Sequence, residues 1–180
     1  MSFIRRQSIE VVDYDPAWPK LFEEIRARIE LLLLGLVTEI HHIGSTSVPG
    51  LCAKPKIDID IIFRQPAKIL EGIARMQATG DYTFHGELYQ DNRWVFTTSQ
   101  VSPGQRLYLS APEHPAHLHR ILFRDYLRRH PEEAATYATL KQRLAAEAIN
   151  DWDHYTGGKG PFVTDIVNRA MAENSLKIGR

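Results

Sequence analysis

Apolar residues recur along this chain with two different periods, and the switches between them predict most of its elements. Trp18, Leu21, Phe22, Ile25 and Ile29 fall three and four apart, so they share one face of a helix. Asp15 suits the cap of that helix, Pro16 its first turn, and Gly35 a stop just after Leu34. The run Leu31 to Leu34 then belongs to the core. A second helix is expected over 66–79, with Ile69, Leu70, Ile73 and Met76 facing inward. Between the two helices the period drops to two, which predicts strands over 37–43 and 57–63 separated by a turn-rich loop. A short extended stretch is expected at 8–12, and three antiparallel strands at 82–84, 93–99 and 106–110, joined by turns rich in Gly, Asn and Pro. From Pro115 the pattern is helical again, over about 115–129, 131–148 and 158–173, with a frayed tail from Asn174.

This order predicts an α+β protein: a small mixed β-sheet packed with helices, and further helices gathered at the C-terminus. One domain is expected over 1–180, with a core at about 8–112 and a helical part at about 113–175. The strand at 57–63 is its most unusual element. Ile57, Ile59 and Ile61 take one face and leave Asp58 and Asp60 together on the other, their Cα atoms about 6–7 Å apart. Two carboxylates in so apolar a strand are costly unless a cation or a basic partner meets them.

Composition narrows the possible partners. Twenty-two basic residues balance twenty-two acidic ones, so no long-range field draws the chain to nucleic acid or to an acidic membrane. An anionic ligand must be held locally. The lone Cys52 excludes an intrachain disulfide and suggests a reducing, cytoplasmic location. No apolar segment follows Arg5 and Arg6 as a secretory signal would require, and the longest apolar run is far short of a bilayer span. Oligomeric state is not legible.

Ile43-Gly44-Ser45, a spacer of twelve residues and then Asp58-Ile59-Asp60-Ile61 resemble the signature of the nucleotidyltransferase superfamily. The wider context resembles the GrpB (UPF0157) family more closely. It includes Val12-Asp13-Tyr14-Asp15-Pro16, His42-Ile43-Gly44-Ser45-Thr46-Ser47-Val48-Pro49-Gly50-Leu51, Ala53-Lys54-Pro55-Lys56-Ile57-Asp58-Ile59, Phe123-Arg124-Asp125-Tyr126-Leu127-Arg128, and Tyr137 with Leu140-Lys141. These segments run from about residue 10 to 170. The resemblance implies a nucleotidyltransferase-like fold and a metal-dependent protein that binds a nucleoside triphosphate, with Asp58 and Asp60 catalytic and holding Mg²⁺ or Mn²⁺. A similar domain fused to dephospho-CoA kinase in some relatives keeps a second reading open, a non-catalytic module for a nucleotide or a CoA-like molecule.

Residue chemistry agrees. Gly44 leaves room for a phosphate near the backbone, and Ser45, Thr46 and Ser47 offer hydroxyl and N–H donors. Lys54, Lys56 and Arg93 are candidate phosphate contacts. The third carboxylate usual in active nucleotidyltransferases is missing from the later strands, and Glu87 is the nearest substitute. Other polar residues favour simpler roles. His41 and His42 are expected to be packed and hydrogen-bonded rather than ligands, and His114, His117 and His119 to lie at the surface. Arg120, Arg124 and Arg128 form a stripe on one helix face, read as solvated with one buried member. Tyr155 and Lys159 either lean over the cleft or simply pack.

Overall fold

The computed structural model describes residues 9–98, 100–148 and 151–178, with side chains through residue 175. Its elements run α1 (Trp18–Leu32), β1 (Val37–Ile43), a three-residue 3₁₀ turn (Ser45–Ser47), β2 (Lys56–Phe63), a second 3₁₀ turn (Pro66–Lys68) and α2 (Ile69–Ala78). Three strands follow, β3 (Thr83–Gly86), β4 (Trp94–Thr98) and β5 (Gly104–Ser110). The chain then turns helical through α3 (Pro115–Arg129), α4 (Pro131–Ala148), α5 (Trp152–Gly157) and α6 (Gly160–Ile178). This is the α+β architecture that the periodicity predicts.

The sheet order is β1-β2-β5-β4-β3. β2 pairs antiparallel with β1 and parallel with β5, and the remaining pairs are antiparallel, so the sheet is mixed. Only the β2–β5 pair needs a crossover, and the chain from α2 to β4 supplies it.

Alternation along β2 separates two layers. Ile57, Ile59 and Ile61 are fully buried in one core with Trp18, Phe22, Ile25 and Ile29 of α1 and Ile69, Ile73 and Met76 of α2. Gly72 permits that packing, because a Cβ there would lie 2.3 Å from Cζ of Phe63. The other face carries Asp58 and Asp60 and is covered by the C-terminal helices. Those helices have a separate core in which Tyr126 and Leu127 meet Tyr137, Ile166 and Ala170.

Several local expectations are corrected. Of the run 31–34, Leu33 is buried but Leu31 and Leu34 are 77% and 71% exposed, because the helix ends there and splays them outward. Leu70 also faces solvent. α1 starts at Trp18 instead of Pro16, since Asp15 accepts from the Ala17 backbone N–H in a preceding turn (2.8 Å). α5 was not anticipated; Asp151 caps it by accepting from the N–H groups of Asp153 and His154. α6 continues through Ile178, past the predicted fraying point, while residues 179–180 lie outside the described residues. The stretch 8–12 contributes an isolated bridge between Val12 and Ala53, and Ser8 lies outside the described residues. Among the described residues, no helix is long and apolar enough to cross a membrane.

Candidate functional site

The turn after β1 and the second strand do meet in space. Gly44 has φ of +70°, which a side chain rarely adopts, and a Cβ on it would sit 2.7 Å from Oδ2 of Asp58. The space that sequence reasoning reserved for a phosphate is therefore taken by the Asp58 carboxylate. Asp58 and Gly44 form part of the wall of a cavity of about 260 Å³, together with Ser45, Thr46, Lys54 and Lys56.

The two aspartates have different surroundings. Asp60 is fully buried. Its Oδ1 accepts from Nη1 of Arg120 (2.5 Å) and its Oδ2 lies 3.0 Å from Nδ1 of His117. Asp58 instead faces basic groups without a close ion pair. Burial pushes its pKa above the ordinary carboxylate range, against the opposing pull of Lys56, Arg106, Lys54 and Arg120.

The far wall of the cavity comes from the helical part. Tyr137 and Lys141 of α4, Tyr155 of α5 and Lys159 just beyond it all line the space, as do Arg106 and Tyr108 of β5. In the sheet register Arg106 stands beside Asp58 and Tyr108 beside Asp60. The neighbouring strand thus offers a cation and a phenol where a third carboxylate would stand. Lys54 lies 4.3 Å from the Trp152 ring centre and 4.7 Å from that of Tyr155, and Lys159 lies 4.2 Å over the same Tyr155. Burial and the nearby Lys159 bring the Lys54 pKa down to about 8. Lys141 is 2% exposed, donates to the Cys52 carbonyl and is likewise lowered to about 8 by burial. The Lys159 pKa is lowered by burial too, against the pull of Asp58. Nε of Arg106 is buried with no hydrogen-bond partner among the described residues. Five cationic side chains thus surround one carboxylate.

Other predicted residues have structural work. The Thr46 hydroxyl donates to the Lys56 carbonyl (3.2 Å) and accepts from Nε2 of His42 (2.9 Å). Ser47 donates to the Gly44 carbonyl and is buried outside the cavity wall. The Ser47 hydroxyl is turned into its own loop and the Thr46 hydroxyl is held between β1 and β2, although Thr46 still borders the space. Arg93 pairs with Asp91 (2.9 Å) and lies over the Tyr89 ring, one layer behind the cavity. Glu87 accepts from the Asn92 N–H and is exposed, so it supplies no third carboxylate.

The arginine stripe is not a solvated face. Arg120 holds Asp60, Arg124 donates to the His42 carbonyl (3.0 Å), and Arg128 donates twice to the Ser47 carbonyl (3.0 and 2.7 Å). Three turns of α3 clamp the strand and turn that carry the site. His42 is packed as expected, stacked on Phe22. His119 is exposed, but His117 is buried, which corrects its assignment to the surface.

Sequence reasoning missed Tyr108, Arg106 and Tyr89 at the cavity and left Tyr137, Lys141, Tyr155 and Lys159 unassigned or undecided. A signal for the last four was available: Tyr-x-x-x-Lys occurs at both 137–141 and 155–159, the spacing that places two side chains on one helical face.

A Mg²⁺ ion fits this donor set poorly. Both Asp60 oxygens are occupied, which leaves Asp58 as the lone carboxylate among five cations, whereas Mg²⁺ takes hard anionic oxygens.

The mixed five-stranded sheet, backed by hydrocarbon on one side and by a basic, tyrosine-lined cavity on the other, defines an α+β protein with a candidate anion site. The profile of the GrpB protein family matches residues 8–169, and the chain belongs to that family. The crystal structure of conserved protein GrpB from Enterococcus faecalis is 30% identical, covers 92% of this chain and 99% of that one, and superposes with a TM-score of 0.83. UPF0157 protein YqkA of Bacillus subtilis is 34% identical over 158 residues, which are 88% of this chain and 46% of YqkA. The chain thus spans about half the length of that relative. A dephospho-CoA kinase of Mycolicibacterium paratuberculosis is 27% identical over 192 residues, covering 93% of this chain and 47% of the kinase.

Proposed function

We propose that this protein binds the phosphate portion of a nucleotide or a CoA-like molecule, with lysine and arginine in place of a bridging metal. The observation that carries the reading is the cavity's balance of five cations, Lys54, Lys56, Arg106, Lys141 and Lys159, against the single carboxylate Asp58. Holding that many cations close together in a partly desolvated space is costly, and an incoming phosphate would relieve the cost. The raised pKa of Asp58 moves it toward the neutral form, which repels a phosphate least. A second cavity of about 320 Å³ shares Gly44, Asp58, Tyr108, Tyr137 and Lys159 with the first and adds Phe123 and Val163. Its apolar wall suits a base or a pantetheine arm. The relation to a dephospho-CoA kinase keeps CoA among the ligands to test. The free, buried Cys52 suits the reducing cytoplasm, where both ligand classes are used.

A second reading is metal-dependent nucleotidyl transfer at Asp58 and Asp60 with Mg²⁺ or Mn²⁺. It is favoured by one observation, the placement of both carboxylates on one face of β2 with Asp58 against the Gly44 turn. It requires Asp60 to exchange Arg120 and His117 for an ion.

Calorimetric titration with ATP, GTP, CoA and inorganic pyrophosphate, each with and without Mg²⁺, separates the two. The first reading expects metal-independent binding that falls about tenfold or more in Lys54→Met and Lys159→Met, the scale of losing one charged hydrogen bond. Binding only in the presence of Mg²⁺, with label transferred from a radioactive nucleotide, would establish the second reading instead. No binding of any of the four would end both.

A further inference from the structure

Outside the basic cavity, on the same face of the sheet, lies a second cluster. Glu39 and His41 sit two apart on the edge strand β1, so their side chains share a face, and His117 of α3 comes down beside them. One ligand atom from each of the three lies within 4.8 Å of the others, the only such group of three His, Cys, Asp or Glu residues among the described residues. The His41 and His117 rings are 5.1 Å apart, and Nε2 of His41 is 2.6 Å from Oε2 of Glu39. These residues border a cavity of about 700 Å³ that is separate from the lysine-lined one.

The orientation of His117 is an independent observation. Its Nδ1 is taken by the buried Asp60, whose charge Arg120 balances. A carboxylate accepting from Nδ1–H leaves the lone pair on Nε2, the arrangement by which metalloproteins orient and strengthen a ligating imidazole. Asp60, which the strand pattern marks as a ligand, is placed to act one residue further out.

We propose that Glu39, His41 and His117 bind a divalent transition-metal ion, with Zn²⁺ as the preferred occupant, and that Asp60 positions His117 for it. Two imidazoles and one carboxylate suit zinc, and the same set disfavours Mg²⁺, which selects oxygen donors. Glu39 is 57% exposed and can turn its oxygen from His41 to an ion without disturbing the core. Three protein ligands leave a position for water or a small anion. The ion would join the edge strand to α3, so its binding would add to stability as well as fill the site.

The test uses the full chain, stripped with a chelator and titrated calorimetrically with ZnCl₂ and separately with MgCl₂, with thermal melts in parallel. One Zn²⁺ per chain is expected, with a raised melting temperature and no response to Mg²⁺. Glu39→Gln and His41→Ala change partly exposed side chains, and melts without metal verify that both variants fold. Each is expected to weaken Zn²⁺ binding roughly 100-fold, about one ligand's share of a zinc site, and to abolish the thermal shift. Zn²⁺ binding that is absent in the wild type, or equally tight in wild type and both variants, overturns the proposal. The latter result would assign the ion to another surface group, such as His154 with Glu147.

Discussion

The two faces of strand β2 are made by alternate residues of one eight-residue segment, yet they are held by different physics. Toward α1 and α2, Ile57, Ile59 and Ile61 are fully buried among other hydrocarbons, and nothing there depends on direction. Toward α3, Asp60 is equally buried, but its place depends on two directed contacts, to Arg120 and to His117. The first face is graded in its response to change and the second is closer to all-or-none, because a buried charge that loses its partner cannot be rescued by repacking. The comparison also separates the two aspartates. Asp60 serves as a structural anchor, while Asp58 remains the ionisable group turned toward the cavity.

Four changes would break or sharpen this contrast. Asp60→Ala removes the counter-charge of Arg120 and the partner of His117 together, and is expected to cost about 3–5 kcal/mol in denaturant unfolding. A loss below about 1 kcal/mol would show that the charged face is as forgiving as the apolar one. Gly44→Ala places a methyl group against the Asp58 carboxylate at a positive φ, and up to about 3 kcal/mol should be lost. Phosphate-ligand affinity should fall with it, since Asp58 must move.

A third change is pH. The Lys141 pKa is lowered from 10.5 to about 8 in the native state, so between those values the unfolded chain holds a proton that the native chain does not. Stability of the ligand-free protein should therefore rise between about pH 8 and pH 10, Lys141 contributing something on the order of 2 kcal/mol, and Lys141→Met should remove that part of the rise while Lys54, lowered to about 8 as well, keeps the rest. Phosphate binding should weaken over the same range as Lys54 and Lys141 lose their charge. The smallest effect belongs to the apolar face, where Ile59→Val is expected to cost about 0.5–1.5 kcal/mol and to leave ligand binding unchanged.

How much of this was legible beforehand follows the same division. The isoleucine alternation, the α1 face and the bounds of α3 and α4 could be read from the chain, because periodic burial depends on local spacing. Gly44, Ser45, Lys54, Lys56 and Asp58 were read as site residues, and the structure brings them together. The ion pairing of Asp60 could not be read, since Arg120 is sixty residues away and only the tertiary fold brings it near. Arg120, Arg124 and Arg128 looked solvated because spacing shows which residues share a helix face and not what that face meets. The hydroxyls of Thr46 and Ser47 suggested a ligand, but Ser47 satisfies the Gly44 carbonyl of its own turn and Thr46 ties that turn to the Lys56 carbonyl at the start of β2.

The three-arginine clamp has a consequence for synthesis. Every strand of the sheet has been made once Ser110 is added, but the residue that neutralises Asp60 comes ten positions later, and the last arginine eight positions after that. During translation the partly made protein therefore carries the Asp60 carboxylate on β2 before its partners exist. Until α3 emerges that face of the sheet is open to water and the carboxylate stays hydrated, so α3 brings the burial of Asp60 and the partners that compensate it in the same docking event.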